Sequence, residues 1–433
     1  MDSAKYRTID KCRVCGSRSL TSILSLGDLY VSDFIDSPDK SMGIKAPLEL
    51  ALCNRKDGGC GLLQLRHTVS NEAMYRNYWY RSGINKTMTD ELNSIAEKAS
   101  AIGNLKAHDY VMDMGANDGT LLRGYTVSGL NTVGFEPARN LEPFGKQGTT
   151  KIIVDFFNYV AWEQAFGAQK AKVITAIGMF YDLDDPNAFV SDIVKCLDDE
   201  GLLVIQMMYL PSALERNAFD GICHEHLEYY SLLSLESLLD RHGLEVCDVE
   251  MRDQINEGSV RVFIKKVGKG GSLKLERGAQ DRVAALRVKE ASLGLDDKQT
   301  YDALVKRILD AKERVVSLIN QEVAKGKKVH GYAASTKGNT TLQFYGLTPD
   351  LVEAIADRNP QKWGKFTAGT GIPVISEEAS RAQEPDYYFI LAWHFLPEFM
   401  RREVAFLRAG GKFIVPMPEV RVIDEEHLYE YEK

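Results

Sequence analysis

The stretch Asp113-Met114-Gly115-Ala116-Asn117-Asp118-Gly119-Thr120 constrains this chain more than any other. Val111 and Met112 give it an apolar lead-in, and Gly134-Phe135-Glu136-Pro137 follows about a strand and a helix later. A buried strand that ends in a glycine-rich turn and opens a helix lets a ligand lie against bare backbone. An acidic residue about 20 positions on can then take the hydroxyls of an adenosine ribose. Asn117 stands where the second glycine of a dinucleotide fingerprint belongs, so no run of amides is left to cradle a pyrophosphate. Asp113 and Asp118 flank the turn instead. That composition suits a cationic adenosine ligand, and S-adenosylmethionine, a sulfonium, is the candidate; a purely structural strand-to-helix turn is the alternative.

Strand and helix patterns alternate around this turn from about 108 to 266. The apolar runs are Tyr110 to Met114, Asn131 to Phe135, Lys151 to Val154, Val173 to Ile177, Leu202 to Met207 and Val260 to Lys265. Such alternation predicts a parallel, doubly wound sheet. Ligands in such sheets bind outside the carboxyl ends of the strands. Those ends nominate Gly115, Glu136, Asp155 with Phe156, and the run from Ala176 through Ile177 to Asp182. By position, Asp155 would meet the adenine amine and Phe156 would stack on its ring. A polar stretch (267 to 300) and an amphipathic helix (about 301 to 325) lead into a second, smaller α/β alternation. Its strands are expected at Val329 to Ala334, Leu351 to Ala356, Tyr387 to Ala392 and Phe413 to Val415. Between its first strand and helix lies Ala333-Ala334-Ser335-Thr336-Lys337-Gly338-Asn339-Thr340-Thr341. Hydroxyls, a lysine and a helix N-terminus there form a candidate diphosphate cradle, with an ordinary capped loop as the alternative.

At 433 residues the chain exceeds one ordinary core. The patterns divide it at 1–70, 71–266 and 267–433. A hydrophobic share of 44% and a charged share of 26% are those of a globular protein. The net charge of -8 opposes a nucleic-acid binder that works by phosphate neutralisation. No apolar run reaches membrane-spanning length and residues 1–5 carry no secretory pattern, so a cytosolic protein without a membrane partner is expected. Four of the seven cysteines, Cys12, Cys15, Cys53 and Cys60, fall in the first 60 residues. In a reducing compartment two close pairs read as a structural Zn²⁺ site, ahead of buried thiols or a redox pair. Residues 1–70 are too few to fold on apolar burial alone, so the metal would staple them. After them come Tyr75, Tyr78, Trp79 and Tyr80, either core or the rim of a ligand site, and a helical pattern through Met88, Leu92, Ile95 and Ala99.

Cys223-His224-Glu225-His226-Leu227-Glu228-Tyr229-Tyr230-Ser231 is the densest ionisable cluster. A histidine flanked by carboxylates is a general base whose tautomer is held and whose basicity is raised. Two histidines two apart on an extended segment face opposite ways, so one catalyses while the other supports. A second zinc site competes with this reading, but no third ligand of suitable spacing is evident.

Taken in order, these features resemble the S-adenosylmethionine-dependent sugar C-methyltransferase family. They are the four-cysteine module, the D-x-G-x-N-D-G-T turn, and H-E-H-x-x-Y-Y-S followed by Asn256-Glu257-Gly258-Ser259-Val260-Arg261. The segments Gly331 to Asn339 and Asp357-Arg358-Asn359-Pro360 also match, so the likeness covers nearly the whole length. It implies a zinc-binding N-terminal domain, a central Rossmann-like cofactor domain and a C-terminal Rossmann-like α/β domain that helps hold a sugar nucleotide. It implies methyl transfer to carbon of a nucleotide-linked 4-keto-6-deoxy sugar, C3 favoured over C5. His226 would be the base that removes the proton next to the ketone, supported by Glu225. Tyr80, Asp182 and His224 complete the catalytic candidates. Asp113, Gly115, Asn117, Asp118, Glu136, Asp155, Phe156 and Ile177 would hold the cofactor. Tyr78, Tyr229, Lys337, Asn339, Thr340 and Asp357 would meet the substrate. Many members carry a histidine where this chain has Asp182 and a tyrosine where it has Cys223, so groups around the keto oxygen are altered. Metal has no chemical role in this scheme, and a monomer or weak dimer is expected. The alternatives are an O- or N-methyltransferase on a nucleotide sugar, or a zinc-knuckle protein that binds nucleic acid or a partner.

Overall fold

The computed structural model describes residues 6–255 and 258–430, so Asn256 and Glu257 of the quoted motif lie outside the described residues. Three sheets organise the chain. The N-terminal unit is built on β1 (Leu20–Tyr30), β2 (Lys45–Cys53) and β3 (Leu63–Leu65). A helix, α1 (Lys86–Gly103), then leads into the central unit. There, β4 (Tyr110–Met114), β5 (Asn131–Phe135), β6 (Lys151–Ile153), β7 (Ala171–Ile177) and β8 (Leu197–Met208) follow in order. After them come β9 (Glu228–Tyr229), β10 (Leu244–Arg252) and β11 (Ser259–Lys266).

The central sheet runs β10-β11-β8-β7-β4-β5-β6. From β8 to β6 it is parallel, and Val111, Val173, Ile174, Leu203 and Val204 at its centre have no exposure, as a sheet covered on both faces requires. Gly134 of β5 is needed for packing. A Cβ there would come within 2.6 Å of Ile152 and 2.7 Å of Ala116.

The expectation of a wholly parallel sheet is corrected at its edge. β11 pairs antiparallel with both β8 and β10. The link from Arg252 to Ser259 is too short for a crossover, so the two strands it joins are antiparallel. Strand β10 itself was not expected. Its sequence, Leu244-Glu245-Val246-Cys247-Asp248-Val249-Glu250-Met251, alternates instead of forming a solid apolar run.

The polar stretch 267–300 contains a helix, Ala279–Ser292. Its inward stripe is narrow and includes Glu290, 1% exposed. The Glu290 carboxylate accepts from the Leu232 and Leu233 amides (2.5 and 2.9 Å) and from the Tyr209 hydroxyl (2.6 Å). A buried charge that caps a neighbouring helix reads as surface in sequence. Next, α2 (Lys298–Ala324) buries Tyr301, Leu304, Ile308, Ala311, Val315 and Ile319, a helical stripe starting close to the expected place.

The C-terminal unit is a six-stranded sheet in the order β14-β13-β12-β15-β16-β17, parallel except for the last pair. Its strands are β12 (Val329–Tyr332), β13 (Ile355–Asp357), β14 (Val374–Ser376), β15 (Tyr387–Ile390), β16 (Lys412–Val415) and β17 (Arg421–Ile423). The helix α3 (Thr336–Tyr345) follows β12. Strand β13 begins at Ile355, four residues after the expected Leu351. The amides of Leu351 and Val352 both donate to Thr348 O, which winds that segment into a turn. Among the described residues no helix is long and apolar enough to cross a membrane.

The three units interlock. β9 leaves the central unit to pair with β3, completing a sheet in the order β9-β3-β2-β1. Gln343 of α3 bonds both the amide and the carbonyl of Tyr30 in β1 (2.7 and 2.9 Å).

Candidate active site

Cys12, Cys15, Cys53 and Cys60 converge, with Sγ–Sγ distances of 3.6 Å (Cys12–Cys60) and 3.4 Å (Cys15–Cys53). Tetrahedral Zn²⁺ with bonds of about 2.3 Å spaces its sulfurs by about 3.8 Å, so the four thiols fit the ion. The wide gap between Cys53 and Cys60 is taken up by a turn at Arg55–Asp57 and left-handed Gly58 and Gly61. Gly59 is also required, because a Cβ there would sit 2.6 Å from the Cys53 sulfur. Hydrogen bonds from Cys53 and then Cys60 pull the Cys12 thiol down, so the cluster favours a thiolate.

At the carboxyl end of β4 the backbone turns through left-handed Gly115, Asn117 and Gly119. Glu136, at the end of β5, accepts from the Asn117 amide (2.7 Å) and the Ala138 amide (2.8 Å), and so fixes the turn from across the sheet. The segment before α1 clamps the other side. Asn117 Oδ1 accepts from the Ser82 amide (3.1 Å), its Nδ2 donates to Tyr80 O (3.0 Å), and Asp118 Oδ2 accepts from the Gly83 amide (3.0 Å).

Gly115, Asn117, Glu136, Phe156 and Ile177 line a cavity of about 1520 Å³ that runs between the central and C-terminal units. Asp113, Asp118 and Asp155 do not line it. Asp113 is turned inward, where the Thr175 hydroxyl donates to it at 2.6 Å and burial pushes its pKa up to about 7. Asp118 accepts from the Thr120 hydroxyl (2.6 Å). Asp155 accepts from Arg76 (3.1 Å), whose guanidinium also lies 4.8 Å over the Phe156 ring, where an adenine was expected.

The same cavity is lined by Tyr78, Tyr80, Asp182, Glu225, His226, Lys337 and Asp357. His226, 6% exposed, has its Nδ1 at 2.8 Å from Gly221 O. A carbonyl only accepts, so Nδ1 carries the hydrogen, and in the neutral imidazole Nε2 holds the lone pair. The Tyr181 ring meets the imidazole edge-on at 4.6 Å. His224 points the other way, as the spacing predicted, with Nε2 at 3.0 Å from Ala46 O, and burial lowers it to about 4. The segment is turned, however, and not extended: the His226 amide donates to Cys223 O. Burial pushes Glu225 up to about 7, opposed by a hydrogen bond from Thr336 and the charge of Lys337. Asp182 is raised well above the carboxylate range, by burial first and by Glu225 and Glu228 next.

Tyr229, Asn339 and Thr340 lie behind the wall. Tyr229 donates to Gly221 O (3.2 Å), and Asn339 and Thr340 are 1% and 2% exposed. The α3 end of the cavity is formed by Ser335, Thr336 and Lys337, with Ser335 capping the helix through the Gly338 amide (2.9 Å).

Sequence reasoning missed several groups here. The Gly221 carbonyl has no side-chain signature. Tyr181 sits in a run noted only for its neighbours. Arg401 and Arg402 belong to a short amphipathic helix with nothing to mark them. The expectation that no third metal ligand stands near the histidines is also corrected. Donor atoms of Cys223, Glu225 and His226 all lie within 4.8 Å of one another.

A parallel sheet with this turn and its acidic partner defines a methyltransferase-type cofactor lobe. Family models agree along the chain: a zinc binding domain over 12–75, a methyltransferase domain over 80–249 and a C-methyltransferase C-terminal domain over 254–418. C-methyltransferase NovU of Streptomyces niveus is 31% identical over 423 residues, 97% of this chain and 98% of NovU. The chain belongs to this family and is an S-adenosylmethionine-dependent C-methyltransferase with an N-terminal zinc-binding domain.

Solved structures resemble it weakly. The mitomycin 7-O-methyltransferase MmcR is 16% identical at a TM-score of 0.34, over 42% of this chain and 55% of that one. A methyltransferase from Clostridium acetobutylicum ATCC 824 is 11% identical at 0.33, over 42% and 92%. Likenesses this low have no bearing on substrate.

Proposed function

We propose that this enzyme methylates a ring carbon next to the ketone of a nucleoside-diphosphate-linked 4-keto-6-deoxy sugar. One observation carries the reading: a single cavity joins the Gly115–Glu136 turn, the imidazole of His226 and the N-terminus of α3 with Lys337. Arg401 lines the same cavity and adds positive charge for a diphosphate, whereas Arg358 and Arg402 there are ion-paired with Glu398 and Glu377. The preference for C3 over C5 comes from the family resemblance alone.

S-adenosylmethionine supplies an electrophilic methyl group. The backbone turn at Gly115 and Asn117 and the Glu136 carboxylate are the groups that would hold it. The chain's other residues make the nucleophile. A carbon beside a ketone gives up its proton only where donors meet the growing negative charge on the keto oxygen. The hydroxyl of Tyr78 and the ammonium of Lys337 belong to the cavity lining that includes His226 and are the donors nominated for that oxygen, while the Tyr75 hydroxyl donates to Glu225 O (3.1 Å). His226 Nε2 takes the proton, and the Nδ1 bond to Gly221 O holds the ring while it becomes cationic. Positioned base catalysis of this kind contributes about 10²–10⁴-fold. The carbanion and the methyl carbon then need alignment, which walls contributed by two units supply.

Product analysis tests the proposal. The enzyme is incubated with ¹³C-methyl S-adenosylmethionine and a panel of nucleoside-diphosphate 4-keto-6-deoxy sugars. The new methyl group is expected to couple to a ring carbon adjacent to the ketone. A methyl attached to oxygen or nitrogen, or no turnover across the panel, overturns it.

A further inference from the structure

Cys223, Glu225 and His226 are 1%, 6% and 6% exposed, and one donor atom from each lies within 4.8 Å of the other two. Sulfur, oxygen and nitrogen donors at bonds of about 2.0–2.3 Å sit about 3.3–3.8 Å apart around a tetrahedral ion. Closing on a cation would take a contraction of about 1 Å, within reach of side-chain rotation. The His226 Nδ1–H donates to the Gly221 carbonyl at 2.8 Å, the outer bond that metal-binding histidines generally make, which leaves Nε2 as the nitrogen to ligate. Glu225 and His226 line the cavity while Cys223 lies behind them, so a fourth position would open toward the cavity. Three protein ligands and an open position are the pattern of an accessible zinc centre, in contrast to the closed four-sulfur site at Cys12. Thiolate and imidazole select a borderline-soft divalent ion over Mg²⁺ or Ca²⁺.

We infer that Cys223, Glu225 and His226 form a second metal site, which takes a Zn²⁺-class ion and thereby blocks methyl transfer. Binding forms Zn–S, Zn–O and Zn–N bonds and releases the Cys223 thiol proton, and that of Glu225 where present, to solvent. The Nε2 lone pair is then occupied and cannot accept a proton from the substrate. This last step rests on the proposed role of His226, whereas the site itself does not.

The test uses the full chain with its four-cysteine site loaded, dialysed against buffered free Zn²⁺ or Co²⁺. Two equivalents per chain are expected, the second giving a thiolate-to-cobalt charge-transfer band. Cys223→Ser weakens the second equivalent by more than the roughly 10–100-fold that loss of a mere outer-shell partner costs, and Cys223→Tyr serves as a second variant should the serine misfold. Methyl transfer by the wild type is expected to fall in proportion to second-site occupancy and to return on mild chelation. A single equivalent in the wild type, or a second one that survives both variants, overturns the site. A second equivalent bound with activity undiminished overturns the block. Stoichiometry is read without substrate, so failure of the substrate proposal leaves it intact.

Discussion

Glu136 accepts from the Asn117 amide of the turn with one oxygen and from the Ala138 amide beside it with the other. Hydrogen bonds to a charged group are worth about 1.5–3 kcal/mol, so Glu136→Gln is expected to weaken S-adenosylhomocysteine about 10–100-fold by calorimetry. An unchanged affinity would mean that the turn holds its shape without the carboxylate. Asp113 gives a pH signature. Its folded-state pKa of about 7 lies above the ordinary carboxylate value, because burial outweighs the Thr175 hydrogen bond. Its contribution to stability is therefore complete below about pH 4 and lost as pH rises to about 7. The urea midpoint of the wild type relative to Asp113→Asn is expected to fall across that window; a pH-independent difference would contradict the assignment. At this scale the glycines, the cysteines and the histidine cluster were legible because each has a chemistry tied to spacing. Which aspartates face the ligand was not, since Asp113 and Asp118 are spent on Thr175, Thr120 and Gly83, contacts that no spacing predicts.

Among the elements, α1 and the antiparallel edge of the central sheet are joined by a buried ion network. Arg261 of β11, 2% exposed, donates to Glu91 of α1 (2.9 Å), to Gln206 of β8 (2.8 Å) and to Glu250 of β10 (3.2 Å). Gln206 lines the cavity, so the network also sets part of its floor. Breaking a buried pair by removing one partner costs about 3–5 kcal/mol, and Arg261→Met is expected to lose that much in urea unfolding. A loss below about 1 kcal/mol would show that Arg252 alone can neutralise Glu91. The parallel strands were readable as solid apolar runs. β10 and the helix Ala279–Ser292 were not, because each buries charged residues (Asp248 and Glu290) whose partners come from distant segments.

Across the whole molecule, the four-cysteine unit and the segment that carries His226 share a sheet. β9 follows the His226 turn directly and pairs with β3, and the Leu65 amide donates to Leu227 O. In the proposed scheme the four-cysteine zinc takes no part in the chemistry, yet its removal is expected to disorder this register. Stripping the ion with a strong chelator is expected to lower both the melting temperature and methyl transfer, with restoration on adding a single equivalent of Zn²⁺. Full activity in the zinc-free protein would separate the two units. The order of the three units was legible in the sequence. Their interlocking was not, because β9 is two residues long and its partner strand lies more than 160 residues earlier. The central claim is that His226 unmasks a carbanion in the shared cavity, and deuterium wash-in tests it most directly. In D₂O with S-adenosylhomocysteine in place of the methyl donor, the wild type is expected to exchange the proton of the carbon beside the ketone. His226→Asn is expected to abolish that exchange while retaining cofactor binding. Exchange at the wild-type rate in the variant would contradict the account.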